Sequence, residues 1–191
     1  MLLGATKVKF TVIIIFILSF GTNLYCQESV PANALNIDPA GVFFGNLTMN
    51  YEHLFGKRHG LFIESGLGKK DFYLAGAGYR FHYFNDEDTA GINSGFFGVF
   101  VKSGRNYMQF EGENKKKYDV NLEYLSAGIN IGYRYKWGEY FNYSWRIGCA
   151  FPLQSDFKWH PADKPEDYKD FQTICKILSY IDGEISIGYN F

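Results

Sequence analysis

The carboxyl-terminal segment Ser179-Tyr180-Ile181-Asp182-Gly183-Glu184-Ile185-Ser186-Ile187-Gly188-Tyr189-Asn190-Phe191 alternates apolar side chains with polar or small ones. In an extended chain successive side chains face opposite sides. Ile181, Ile185, Ile187, Tyr189 and Phe191 therefore form one apolar face, and Asp182, Glu184, Ser186 and Asn190 form a wet one. A segment of this kind is a strand whose two faces meet different surroundings.

The same period of two recurs along the chain. Between Leu122 and Tyr135, Leu125, Ala127, Ile129, Ile131, Tyr133 and Tyr135 share one face, and Ser126, Gly128, Asn130, Gly132 and Arg134 share the other. The alternation predicts eight strands, at 34–44, 46–55, 59–68, 71–84, 94–105, 121–137, 141–153 and 177–191. Asp38-Pro39-Ala40-Gly41 interrupts the first, because proline removes a ladder donor, so that strand is expected to be kinked or fused with the second. After residue 26 no apolar stretch is long enough for a transmembrane helix. The expected fold class is all-β, a closed antiparallel eight-stranded up-and-down transmembrane β-barrel.

At the amino terminus Lys7 and Lys9 precede an apolar run from Phe10 to Phe20 and a polar exit at Gly21-Thr22-Asn23. The run is too short to span a bilayer and reads as a secretory signal peptide, with cleavage after Cys26. The expected organisation is a signal peptide at 1–26 and one barrel domain at 27–191. Lipidation of Cys26 would call for a small residue before it, and Tyr25 stands there, so ordinary cleavage is the preferred reading. Cys149 and Cys175 are expected as unpaired thiols.

The glycines and aromatics indicate which face lies inside. Gly66, Gly68, Gly76, Gly78, Gly98, Gly128, Gly132, Gly148 and Gly188 fall on the polar faces of their strands. The crowded interior of a small closed barrel needs small residues between large ones, whereas a solvated exterior does not. Tyr51, Tyr83, Tyr133, Tyr135, Trp137, Tyr143, Trp145, Tyr189 and Phe191 gather toward one end of their strands, as a girdle at a membrane–water interface does. With Phe191 at the periplasmic end, turns near 56–58, 85–93 and 138–140 are periplasmic. The two longest connections, 106–120 and 154–176, are then external, in keeping with the short periplasmic turns and longer external loops of outer-membrane barrels.

The inward charges are Glu52, Glu64, Arg80, Lys102, Arg134, Arg146, Asp182 and Glu184, with His82, Asn50 and Asn130 among them. Eight strands enclose room only for side chains, so these groups are expected to pair across a filled lumen, Arg146 with Glu184 and Arg80 with Glu64. Glu52, Glu64, Glu184 and His82 form the one constellation that could suggest catalysis, and a plugged lumen gives a substrate no access. Lipid A deacylases as a family place a serine two residues after a histidine. Here Phe55, Leu61, Phe84 and Ala162 occupy those positions, and no enzyme is expected. The histidines and cysteines show no metal-ligand spacing, and no cofactor is implied. A net charge of -1 and a pI near 6.4 exclude a nucleic-acid binder of the basic kind.

The export signal, the eight-strand pattern, the Gly-rich inward face and the ending Ile185-Ser186-Ile187-Gly188-Tyr189-Asn190-Phe191 together resemble the small outer-membrane β-barrel proteins of the OmpA/OmpX kind. Asn46-Leu47-Thr48-Met49-Asn50-Tyr51-Glu52 is similar to an early strand of a broad group of such proteins from Gram-negative bacteria. The resemblance implies insertion by the barrel assembly machinery, with Ile187, Tyr189 and Phe191 in the assembly signal. No peptidoglycan-binding domain, and so no wall-tethering role, is expected.

Function is expected in the external loops, through Tyr107, Phe110, Lys115, Lys116, Lys117, Phe157, Trp159 and Tyr168. These would either contact outer-membrane lipid, lipopolysaccharide or another surface, or merely pack the loops together. The expected state is a monomer, porin-like in architecture. A narrow pore or transporter, and a soluble periplasmic lipocalin-like ligand-binding barrel, are the alternatives.

Overall fold

A computed structural model of the chain describes residues 32–55, 58–83, 92–112, 115–161, 165 and 168–191. The export segment, Cys26 and most of the turns near 56–58 and 85–93 lie outside these residues. The elements run in the order β1 (Asn33–Ile37), α1 (Pro39–Phe43), β2 (Asn46–Phe55), β3 (His59–Gly68), β4 (Tyr73–Tyr83), β5 (Ser94–Glu111), β6 (Lys117–Trp137), β7 (Phe141–His160), α2 (Tyr168–Ser179) and β8 (Ile181–Asn190). Each strand pairs antiparallel with the next, and β1 closes the sheet against β8 with Ala34 opposite Asn190 and Ile37 opposite Ile187. The fold is therefore the closed eight-stranded up-and-down barrel that the alternation calls for. Closure leaves no free edge along the paired wall.

Five boundaries differ markedly from the sequence reading, each for a local reason. β1 stops at Ile37 instead of running to residue 44, because Asp38 caps a helical turn. Its Oδ1 accepts from the backbone N–H of Ala40 at 2.8 Å, and Pro39 sits where a helix tolerates a missing donor. β5, β6 and β7 run on to Glu111, back to Lys117 and on to His160, so most of 106–120 and the start of 154–176 are strand. β8 starts at Ile181 and not at 177, because 168–179 is a helix.

The strand extensions escape a simple alternation pattern because the polarity of the sheet inverts partway up. On the lower part of β6 the outward residues are apolar, with Ile129, Ile131 and Tyr135 all exposed. Above Leu125 the outward residues are Glu123, Asn121 and Asp119, while Leu122, Val120 and Tyr118 are buried. On β7 a bulge opposite Leu125 and Ser126 shifts the register by one residue. Odd-numbered residues point outward at Ile147, Phe151 and Leu153, and inward at Phe157 and Trp159. A bulged residue reverses the facing of everything beyond it.

The inward face of the lower barrel is packed by aromatic rings set against glycines. A Cβ on Gly78 would lie 2.5 Å from the Phe62 ring, one on Gly128 2.4 Å from Phe100, and one on Gly132 2.5 Å from Phe96. Phe62, Phe96 and Phe100 are all buried. The glycines thus give large rings room in a narrow lumen.

Candidate functional site

Two layers of charge fill the lower lumen. Glu52 on β2, fully buried, anchors the first. It accepts from Arg80 Nη1 on β4 at 2.7 Å, from Arg134 on β6, and pairs with His82 Nε2 at 2.8 Å. His82 Nδ1 lies 2.8 Å from Ser94 Oγ. A neutral His82 protonated on Nε2 donates to Glu52 and accepts from Ser94, which satisfies both contacts. The Arg80 guanidinium is also sandwiched between the Phe62 and Phe96 rings, at 4.3 and 4.5 Å from their centroids.

Arg146 on β7 organises the second layer. It reaches Glu64 at 2.7 Å, Glu184 at 2.7 Å and Asp182 at 3.3 Å, while Lys102 pairs with Asp182 and stands 4.0 Å from Glu64. One layer carries a carboxylate against two guanidinium groups, and the other carries three carboxylates against Arg146 and Lys102. Their excess charges are opposite and cancel across the lumen. The gap between them, lined by Arg80, Phe96, Ser144, Arg146, Glu184 and Ser186, leaves no room for a water molecule.

The eight inward charges named from the sequence all line this lumen. Arg146 meets Glu184 as expected, but Arg80 bonds to Glu52 and not to Glu64. The reason is Gly60, which stands opposite Arg80 on the intervening strand. A Cβ on Gly60 would lie 2.2 Å from Glu52 Oε1, so the missing side chain is what admits the carboxylate to Arg80. The row of Ser94, His82 and Glu52 has the residue types of a hydrolytic triad. Ser94 is wholly buried, its histidine contact is through Nδ1, and Glu52 is held by two arginines, so the row is a buried polar chain.

Above the charged layers, the prolonged β5–β6–β7 sheet forms a rim with its own core. Tyr118, Val120 and Trp159 are buried there, with Phe110, Phe157, Tyr168 and Phe171 packed against them. Phe110 lies 4.6 Å from Phe171 between ring centroids and meets Trp159 edge-on at 6.1 Å. Four of the five aromatics named for the external loops, Phe110, Phe157, Trp159 and Tyr168, are thus packing residues on β5, β7 and α2, the second of the two roles open to them. Tyr107 faces outward on β5, where its hydroxyl donates to Asp119 and Lys70 lies 3.9 Å above its ring. Lys115 occupies the hairpin tip with φ 59°, and Lys117 opens β6 opposite Glu111.

The outer surface of the rim is polar. Glu123 accepts from Arg105 and from Lys158 Nζ, the latter at 2.6 Å. These bonds, Lys158 first, hold the Glu123 carboxyl below its ordinary range, and the Tyr107 hydroxyl does the same for Asp119. At the opposite end of the barrel, Tyr135, Trp137, Tyr143, Trp145, Tyr189 and Phe191 are exposed on the outward face. Phe55, Phe81, Tyr140 and Phe141 join them, though the sequence reading left them out of the girdle. Phe191 exchanges two backbone bonds of 2.9 Å with Asn33 and so completes the closing seam. Cys149 and Cys175 are free thiols. Among the described residues no cluster of histidine, cysteine and carboxylates could hold a metal ion.

Comparison with protein-family models and with curated proteins gives no match. Among solved structures the chain is similar to the crystal structure of the N-terminal β-barrel domain of Pseudomonas aeruginosa OprF. That similarity has 10% sequence identity and a TM-score of 0.45, over 83% of this chain and 96% of that one.

Proposed function

We propose that the chain is an integral outer-membrane β-barrel of a Gram-negative bacterium, with a filled, non-conducting lumen and a structural or surface-interaction role carried by its external rim. One observation carries the reading. A belt of exposed Leu, Ile, Val and Phe encircles the lower barrel and is bounded by an aromatic girdle at one end and a polar surface at the other. From Leu125 to Tyr135 the belt runs about 33 Å along β6 at about 3.3 Å per residue. With a strand tilt of about 40° this is about 25 Å along the axis, the height of the apolar band of membrane barrels. A soluble barrel would present this surface to water at a large free-energy cost.

The same reading makes the chain an exported monomer inserted by the barrel assembly machinery, with lipid and lipopolysaccharide as its surroundings and no catalytic role. Loss of the apolar contacts on extraction tests it. Outer and inner membrane fractions would be washed with alkaline carbonate and run on gels with and without boiling. A carbonate-resistant outer-membrane band that shifts on heating supports the proposal, and a soluble band without a heat shift sinks it. Planar-bilayer recordings should show no steady conductance, and an open channel would overturn the filled-lumen part alone.

A further inference from the structure

α2 stands where a taller β8 would otherwise continue the wall. β7 pairs with β8 only as far as Cys149 opposite Ile181, whereas it pairs with β6 up to His160 opposite Asp119. Tyr180, the residue after α2, accepts from the backbone N–H of Ala150 at 2.7 Å. On β7 the outward face stays apolar beyond that point, through Phe151 and Leu153 at 60% and 64% exposure, and turns polar at Gln154. The last turn of the helix therefore lies below the upper edge of the apolar belt.

The two sides of α2 differ in partner. Phe171 packs on Phe110 and Trp159, and Cys175 Sγ lies 3.5 Å from Met108 Sδ, so this side is the lid of the rim core. Ile174, Ile177 and Leu178, at the i, i+3, i+4 spacing of one helix face, are exposed by 57%, 54% and 61%. The stripe runs on without interruption into Ile181 and Ile185 of β8, which belong to the belt. Lys169 and Lys176 are also exposed, seven residues apart and therefore together on another side of the helix. An apolar stripe continuous with the belt suits the upper level of the acyl chains, and exposed lysines elsewhere on the same helix suit the headgroup level beside it.

We infer that α2 is a lipid-embedded wall segment, whose Ile174, Ile177 and Leu178 face contacts the acyl chains of the outer leaflet while its neighbouring Phe171 and Cys175 face closes the rim. The inference rests on the membrane reading above and adds a lipid-binding surface to it. It ties the external rim to the bilayer by something other than strands, so the packing of Phe171 on Trp159 depends on where the lipid surface lies.

The test uses the full mature chain, with its cysteines replaced by serine, folded into phosphatidylcholine and phosphatidylglycerol vesicles with or without brominated acyl chains. An environment-sensitive fluorophore is attached through Ile177→Cys, through Ile129→Cys in the belt, or through Asn121→Cys on the outward face of the rim. Bromine should quench the label at Ile177 to the same extent as at Ile129, with the label at Asn121 unaffected. Quenching at Ile129 but not at Ile177 overturns the inference and leaves the barrel reading intact. If the Ile177 labels instead quench one another in doubly labelled vesicles, a second copy covers the stripe, which also overturns it. No quenching at Ile129 would mean that the membrane reading itself has failed.

Discussion

The lower barrel and the upper rim are made from the same strands of β5, β6 and β7, yet they are built inside out relative to each other. Below Leu125 the outward face is Ile129, Ile131 and Tyr135, and the inward face is Asn130, Arg134 and the ion layers. Above it the outward face is Glu123 and Asp119, and the inward face is Val120, Tyr118 and Trp159. A strand has no preference for either arrangement, because its two faces are equivalent until something is placed against them. The surroundings decide which face is apolar. Beside lipid, apolar side chains face out and polar groups must satisfy one another within, whereas beside water the ordinary rule of an apolar core returns.

The difference should appear most strongly when one partner of a buried charge is removed. Glu52→Gln leaves Arg80 and Arg134 buried without their carboxylate, and breaking such a pair costs about 3–5 kcal/mol. The urea midpoint for loss of the unboiled compact band should fall sharply. Glu123→Gln in the rim, which removes partly solvated pairs with Arg105 and Lys158, should cost only about 1 kcal/mol or less and move that midpoint little.

The next effect compares outward positions on one strand. Ile129→Lys, in mid-belt, is expected to cost about 2–4 kcal/mol of folding in bilayers, as basic residues do on the lipid face of a barrel. Asn121→Lys, on the outward face above Leu125, should cost nothing measurable in the same titration. Equal costs at the two positions would erase the boundary between the regions.

Lumen packing is a smaller handle. Gly128→Ala would press a methyl group into both the Phe100 ring and the Cys149 backbone carbonyl, and overpacking of this kind costs about 1–3 kcal/mol. Combining it with Phe100→Leu, which removes the ring it strikes, should recover part of the loss in the urea midpoint.

The smallest expected effect depends on pH. Lys158 and Arg105 lower the folded pKa of Glu123, so its contribution is present above the ordinary carboxylate pKa and fades as pH falls through the lowered value. Acidification from neutral pH should loosen the rim, read as faster proteolytic nicking near Lys158. In the Glu123→Gln variant that pH dependence should be weaker.

The lower barrel was legible because a period of two with a consistent face is a local signal. Arg146 and Glu184 could be paired from the sequence because their strands are adjacent and their residues directly opposite. Arg80 was assigned the wrong carboxylate because the pairing depends on an absence: Gly60 lets Glu52 reach across a strand. The upper rim was read as loop for a different reason. The apolar set on β6 changes parity between Tyr124 and Leu125, and a bulge on β7 reverses facing without altering the odd-numbered apolar pattern, so alternation alone breaks off where the polarity of the sheet inverts. α2 carries its own signal, in the helical spacing of Tyr168, Phe171 and Cys175 against Ile174, Ile177 and Leu178, which a period of two does not contain.

The account stands most directly on the change of surroundings along β6. Single cysteines at Ile131, Ile129, Glu123, Asn121 and Val120, in a background without other cysteines, would be exposed to a charged, membrane-impermeant maleimide in intact outer membranes. The account predicts rapid labelling at Asn121 and Glu123, protection at Ile129 and Ile131 by lipid, and protection at Val120 until the rim is denatured. Labelling at Ile129 as fast as at Asn121 would contradict it, because both positions would then face water and the belt would not be a membrane surface.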